Sequence, residues 1–515
     1  MKPLNLRILV PSRVFLAAFA VFFALSACWS LATPMFASPD ETSHLVKAAA
    51  TVRGEIGGKH GYVEQAMPQG PSEQPEREYR VPAAYAAAVF PCYAHEPLVT
   101  PECEKGHAEH PHSRTGSLTM WTTAGHYNPI YYALVGWPSL LDKSVHGMYL
   151  VRLTSALINS LLLAGAVALA AAWRRTGLLL AGLLTATTPM VLFLDGMVNP
   201  NSLEISSAVL AWVAALSLTM QPDPALLRRR VLVLIGAGTL LVNVRPLGYE
   251  WLAAILGTAL LVATGRGTVR AILRDRTTWY ATAAASPVLC FGLWWTLHNG
   301  DDAQVTPIKG DAFFPAAHAT LNDFQWYLQC MIGFFGWLDT PAPTATYDLW
   351  IGVTVLLALA AVIFGKWRQS AAVLALAIGI VAIPVLAQGA EAKHVGMIWQ
   401  GRYLLAFAVG LPILAGAVLA ARADEMTEAS EVTLPHHLDR RVVLTLGAVL
   451  AFADIAAFVH ALRRYLTGLD GQIHLAKITW QPPGHWELWA TLYALALTAS
   501  VALCTVELRR NRRPC

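Results

Sequence analysis

Residues 14–53 read VFLAAFAVFFALSACWSLATPMFASPDETSHLVKAAATVR. The run up to Ala32 carries no charge, and about 20 apolar residues of helix suffice to cross a hydrocarbon core of roughly 30 Å. Asp40, Glu41, His44 and Lys47 then follow within half a helix's length. A membrane span that opens directly onto a charged helix start sets the class of the chain, and the rest of the sequence repeats the theme.

Of the 515 residues, 55% are hydrophobic and 14% charged, and the mean hydropathy is positive. That balance excludes a soluble globular protein of this size. We place about twelve spans, near Val14 to Thr33, His146 to Ala172, Gly177 to Leu194, Ser202 to Met220, Arg230 to Asn243 and Leu247 to Thr264. The second half adds Tyr280 to Leu297, Tyr347 to Phe364, Ala371 to Leu386, Tyr403 to Ala421, Val442 to Leu462 and Leu488 to Val506. The expected fold is an all-α polytopic integral membrane protein. The net charge is small, 37 Lys+Arg against 33 Asp+Glu, so its distribution matters more than its total. With both ends inside, every cytoplasmic turn is basic, which agrees with the excess of Lys and Arg in cytoplasmic loops.

Four parts follow. Residues 1–33 form a cytoplasmic N-terminus and first span, and 34–145 an extracytoplasmic loop with amphipathic helices and a candidate catalytic carboxylate. Residues 146–506 form a helical bundle with short outer loops, and 507–515 a basic cytoplasmic tail. Leu25-Ser26-Ala27-Cys28 fits a lipoprotein cleavage box. The apolar run continues through Trp29, Leu31 and Ala32, so an uncleaved span is expected. There is no internal repeat, low-complexity tract or nucleic-acid signature.

In the outer loop, Ser38 and Glu41 have the spacing of a capping box, with Pro39 at the first helical position. The spacing predicts a helix to about Arg53, stopped by Gly54. Asp40, His44 and Lys47 would share one face of it, and Leu45, Ala48, Ala49 and Val52 another, making an amphipathic helix on the membrane surface. Glu41 as a cap and Asp40 as a complement to the helix dipole is the plain reading. The chemical reading places Asp40 at the lip of a membrane cavity, able to take a proton from an incoming hydroxyl, with Glu41 beside it. His107-Ala108-Glu109-His110-Pro111-His112 concentrates imidazoles, but the spacing matches no closed zinc site. A solvated loop is expected there. Tyr127 to Leu141 reads as a second interfacial helix, with Tyr131, Tyr132 and Trp137 at headgroup depth. Of seven cysteines only Cys92 and Cys103 fall in outer loops, which predicts a disulfide.

Arg152, Arg245 and Arg402 are cations at membrane level, where an ionisable group is costly and a role is the default. Snorkelling is the plain alternative for Arg152. Arg245-Pro246 interrupts an apolar stretch and should line a cavity, where a guanidinium holds phosphate bidentately. Asn199, Asn201, Asp339 and Gln400 sit in polar turns at the same expected face, and His44, Lys47, Lys393, His394 and Arg402 add donors. Together these would form one vestibule, with acid on one side and phosphate-binding groups on the other.

Pro39-Asp40-Glu41 with His44, Thr188-Pro189-Met190 with Asn199 and Asn201, Arg245-Pro246, Gly336-Trp337-Leu338-Asp339-Thr340 and Gln400-Gly401-Arg402-Tyr403 occur in one order. In this the chain resembles the membrane protein family designated domain of unknown function 2142. That family looks like a branch of the glycosyltransferase C (GT-C) superfamily. The resemblance implies a GT-C-like bundle and a polyprenyl-phosphate sugar donor. It further implies transfer to a glycan, lipid or protein acceptor at the outer face of a bacterial cytoplasmic membrane, with Asp40 at the acid-base position. Many superfamily members add a large soluble C-terminal domain, whereas this chain ends in a span and a basic tail. No cofactor is required by the sequence. A divalent cation bridging phosphate and carboxylate is compatible with the chemistry, although no ligand cluster demands one. The competing readings are a transporter or flippase of lipid-linked saccharides, using the same arginines without turnover, and a non-catalytic subunit of an envelope-assembly complex.

Overall fold

The computed structural model describes residues 12–67, 70–85, 91–106, 116–299, 312–429, 437–471 and 477–510. The histidine tract 107–112 lies outside them. The chain opens with α1 (Arg13–Ala32) and α2 (Glu41–Thr51), then strands β1 (Lys59–Met67), β2 (Gly70–Pro82) and β3 (Ser117–Thr122). There follow α3 (Pro129–Gly136), α4 (Pro138–Leu141), α5 (Val145–Ala170), α6 (Thr176–Ala186), α7 (Pro189–Asp195), α8 (Pro200–Thr219), α9 (Leu227–Val242) and α10 (Gly248–Leu261). Next come α11 (Arg266–Arg274), α12 (Arg276–Asn299), α13 (Phe313–Asn322), α14 (Phe324–Gly333) and the short strands β4 (Phe334–Phe335) and β5 (Thr340–Pro341). The bundle closes with α15 (Thr344–Phe364), α16 (Trp367–Val395), α17 (Leu405–Ala408), α18 (Gly410–Ala429), α19 (His437–Thr467) and α20 (Trp486–Arg510).

Among the described residues eight helical stretches are long and apolar enough to cross a membrane, or nine if α6 and α7 form one broken span. These eight coincide with eight of the twelve expected spans. The other four expected segments form the α6/α7 pair, bent by 69°, the 16-residue α9, the 14-residue α10 and the 24-residue α12 interrupted by Pro287. The α6/α7 bend has a local cause. Pro189 cannot donate a helical hydrogen bond, and the Thr188 hydroxyl caps the new helix at Val191 while donating to the Met331 carbonyl at 2.8 Å.

α8 is buried at every residue. Apart from Asn201 and Glu204 in its first turns it is apolar or small all round, as a helix must be when other helices surround it, and α5, α9, α10 and α18 enclose it. α1 packs on α5 and α20. Cys28 is buried inside α1.

The expectation of an all-α chain needs correction in the outer loop, where β1, β2 and β3 form an antiparallel sheet in that order. Arg77, Tyr79 and Val81 alternate inward, each no more than 3% exposed, as the two-residue period of a strand requires. The sheet sits against α2. In consequence α2 is not an amphipathic surface helix: only Ser43 escapes burial among its eleven residues. Tyr131 and Tyr132 on α3 likewise point into this packing, at 1% and 0% exposure, while Trp137 and Leu141 stay exposed. The aromatics of that segment are therefore divided between core and surface. Cys92 and Cys103 are joined in the expected disulfide.

Candidate functional site

The two neighbouring carboxylates after α1 take opposite environments. Glu41 begins α2 and points into the protein, where it forms a fully buried ion pair with Arg152 of α5 at 2.5 Å. The pair is saturated. Arg152 directs Nε and one Nη2 hydrogen at Glu41, both Nη1 hydrogens at the carbonyls of Ser30 and Thr33, and its last hydrogen at the Pro34 carbonyl. Those are all five guanidinium donors. Glu41 also accepts from the backbone N–H groups of Phe36 and Val198. Arg152 thus does not snorkel, and both Glu41 oxygens are already engaged: together the pair binds the end of α1 to α2, α5 and the α7–α8 turn.

Asp40 faces the other way. Its backbone is left-handed, φ 60°, and its side chain makes no capping bond. A side chain in that conformation is costly for most residues and tolerated by Asp. It carries the carboxylate off the helix end toward Arg402, 362 positions later, whose Nη2 donates to Asp40 Oδ2 at 2.6 Å. Asp40 is 48% exposed and Arg402 4%. Unlike Arg152, Arg402 is left with Nε and Nη1 buried and without an acceptor.

Arg245 reaches the same place from the turn between α9 and α10. Its guanidinium lies 4.3 Å from the ring centre of Tyr403 and 5.6 Å from that of Tyr127, and Arg402 lies 5.4 Å from the same Tyr403 ring. Two cations share one aromatic ring. Arg245 donates to Asn201 Oδ1, and the buried carboxylate of Glu204 stands 4.0 Å from its Nε. Asn199 caps α8 through Asn201 N–H and donates to the Pro39 carbonyl at 3.2 Å, fixing the approach to Asp40. Asn201 Nδ2 and Gln400 Oε1 are buried without partners.

His44 lies beside this group, hydrogen-bonded through Nδ1 to the Tyr132 hydroxyl at 2.9 Å. Burial pushes its pKa down to about 3, with Asp40 opposing and Arg402 and Arg245 reinforcing the shift. The ring is therefore uncharged at neutral pH. Burial also pushes the Tyr127 phenol up to about 12. Lys47 does not reach the vestibule. Its Nζ donates to the Ile56 carbonyl, the Tyr79 hydroxyl and the Gly125 carbonyl, and burial pushes its pKa down to about 7. Asp339 is likewise engaged elsewhere, paired at 3.0 Å with the buried Arg464, which also holds the carbonyls of Tyr93, Glu96 and Val99 in the disulfide-bearing segment. Lys393 and His394 are exposed on the last turn of α16 and make no hydrogen bond or ion pair among the described residues.

Tyr127, Tyr403 and Glu204 complete the site, and the sequence signals for them were weak. Tyr403 adjoins Arg402, but nothing local says that its ring would take two guanidinium groups. For a metal, among the described residues one group of potential ligands is close enough, Cys92, Cys103 and Glu104, and its two sulfurs are joined in the disulfide.

What fold and site define is an integral membrane protein with a cluster of buried arginines beside a half-exposed carboxylate. The family model described as "Predicted membrane protein (DUF2142)" matches residues 23–411, and the chain belongs to that family. No curated protein matches it. Among solved structures it is similar to the crystal structure of ArnT from Cupriavidus metallidurans in the apo state, with 14% sequence identity, a TM-score of 0.44 and coverage of 96% of this chain and 76% of that chain. The same protein bound to undecaprenyl phosphate gives 15% identity, a TM-score of 0.39 and coverage of 96% and 77%.

Proposed function

We propose that this protein is a membrane glycosyltransferase of the GT-C type, moving a sugar from a polyprenyl-phosphate donor to an acceptor hydroxyl at the outer face of a bacterial cytoplasmic membrane. The observation that carries the reading is the unsatisfied edge of Arg402. Two buried nitrogens, Nε and Nη1, with three N–H groups and no acceptor, beside a second arginine on the same ring, are a standing deficit that a phosphate oxyanion would fill.

The chemistry follows from who is left to do it. The leaving group departs as polyprenyl phosphate, so the protein has to hold developing negative charge, which Arg402 and Arg245 do from a low-dielectric site. Phosphate binding competes with Asp40 for Arg402 Nη2 and frees the carboxylate, whose outer half is already open to an acceptor. The acceptor oxygen bonds to the anomeric carbon as the carbon–phosphate oxygen bond breaks, and the acceptor proton passes to Asp40. A single displacement inverts the anomeric centre. Asn199 and Asn201 keep the Asp40 segment and Arg245 in register, and His44, Tyr127 and Tyr403 surround the charged groups.

The test is sugar transfer from synthetic polyprenyl-phosphate sugars by the full-length protein in lipid, with wild type compared against Asp40→Asn. Transfer that disappears in the variant while donor binding persists supports the reading. Donor binding or translocation without transfer, the same in both proteins, sinks it in favour of a transporter.

A further inference from the structure

A second charged cavity lies at the far ends of the helices that build the Asp40 site. α5 and α8 begin beside Arg152 and Asn201 and end near Ala172 and Met220, a helix length of about 30 Å away. There an open cavity of ≈ 930 Å³ is lined by four cations, Arg174, Arg230, Lys366 and Arg368, and three carboxylates, Asp223, Asp424 and Glu425.

The carboxylates are already committed. Glu425 pairs with Lys366 at 2.7 Å and with Arg422. Asp424 lies 3.6 Å from Arg175 and accepts from Gln221 at 3.1 Å, and Asp223 accepts from the Ala225 N–H at 2.8 Å. Arg230 is opposed only from a distance, by Asp223. It is 2% exposed, its Nη1 donates to the carbonyls of Ser217 and Gln221 at 2.8 and 2.5 Å, its Nε is buried without a partner, and among the described residues no carboxylate stands within ion-pair distance. A buried guanidinium without a contacting carboxylate is expensive unless an anion completes it. Arg368, at the rim, is exposed and likewise makes no ion pair among the described residues.

The surroundings favour a lipid. Leu261 and Val262 give the cavity an apolar wall and Trp367, 77% exposed, stands at its edge. Directly after the Thr264 wall comes α11, none of whose residues is buried. Arg266, Arg270 and Arg274 fall within about 80° of its circumference and Val269, Ile272 and Leu273 within an adjacent arc of about 100°, the arrangement of a helix lying in a headgroup layer. Trp279 and Tyr280, at 61% and 70% exposure, extend that belt.

We infer that the Arg230–Arg368 cavity binds the phosphate headgroup of an anionic phospholipid in the leaflet opposite the Asp40 site. The basic arc of α11 gathers such lipids at its mouth, and Arg230 receives the phosphate.

The full-length protein in detergent is offered phosphatidylglycerol, phosphatidylcholine or inorganic phosphate, with retained lipid read by native mass spectrometry and stabilisation by thermal shift. Phosphatidylglycerol is expected to be retained over phosphatidylcholine, and Arg368→Gln, an exposed position that folding tolerates, to cut retention about fivefold. Equal retention of the two lipids overturns the inference, as does unchanged phosphatidylglycerol retention in Arg368→Gln. Loss on Arg270→Gln with Arg274→Gln but not on Arg368→Gln places the lipid on α11 and also overturns it. Stabilisation by inorganic phosphate without lipid preference assigns the cavity to a soluble phosphate compound instead.

Discussion

Glu41→Gln and Asp40→Asn change adjacent residues by the same chemistry and should have unrelated effects. Glu41 makes four contacts at zero exposure, two to Arg152 and two to backbone N–H groups. An amide there removes the charge that neutralises Arg152 and turns one acceptor oxygen into a donor facing other donors. Breaking a buried pair from one side costs about 3–5 kcal/mol. The Asp40–Arg402 pair is half open to solvent on the carboxylate side, and Asn still offers Arg402 an oxygen, so its neutralisation should cost less than that of the fully buried pair. Glu41→Gln should therefore unfold at clearly lower temperature in the same detergent, with residual transfer in proportion to the folded fraction. Asp40→Asn should melt much nearer wild type than Glu41→Gln does, and fail to transfer. Wild-type stability in Glu41→Gln would refute the claim that this pair fastens α1 to α5. Substantial transfer by a well-folded Asp40→Asn would refute the division of roles between the two carboxylates.

Three other outcomes are expected. Arg402→Lys keeps the charge but loses the planar fork, and should weaken donor binding by about 1.5–3 kcal/mol, a factor of roughly 10 to 150, in a titration with a donor analogue. His44 titrates near 6.5 when unfolded and near 3 when folded. The unfolded state thus binds the extra proton between those values, and stability falls as pH drops through that window by up to about 1.4 kcal/mol per pH unit; His44→Gln should flatten the decline in melting temperature measured from pH 7 to 4. Opening the Cys92–Cys103 bridge, which spans 11 positions, with Cys92→Ser and Cys103→Ser should cost about 3 kcal/mol by the loop-entropy relation. That cost would be read as a lower melting temperature, with the bridge in wild type confirmed by mass.

What could be read from the sequence was what local spacing controls. The eight clear spans, the start of a helix after Pro39 and the cysteine pair all depend on residues within a few turns of one another. Arg245 and Arg402 could be singled out because a cation at membrane level needs a reason. The strand alternation of Arg77, Tyr79 and Val81 was visible in principle, but charged neighbours on both sides disguised it as loop. Lys47 was misplaced because its three acceptors come from Ile56, Tyr79 and Gly125, the last two brought near only when the sheet folds onto α2. Asp339, placed in the vestibule by its motif, is claimed by Arg464, 125 positions away.

The hardest distinction was between two arginines that look alike in sequence. Arg152 and Arg402 are both buried, both at the ends of apolar stretches, and each pairs with one of two consecutive carboxylates. They differ in how many donors remain. Arg152 has none to spare, so a ligand arriving there would have to break what it replaces, and the pair can only hold structure. Arg402 keeps three buried N–H donors idle, on Nε and Nη1, and binds a carboxylate that water already reaches. An oxyanion entering there gains hydrogen bonds before it displaces any, and the one it displaces releases Asp40 to solvent and substrate. The left-handed turn at Asp40 creates this asymmetry, because it sends one carboxylate inward and the next outward from a single helix start. A pocket whose cation is only partly satisfied in the resting protein is one that an anionic substrate can both fill and switch on.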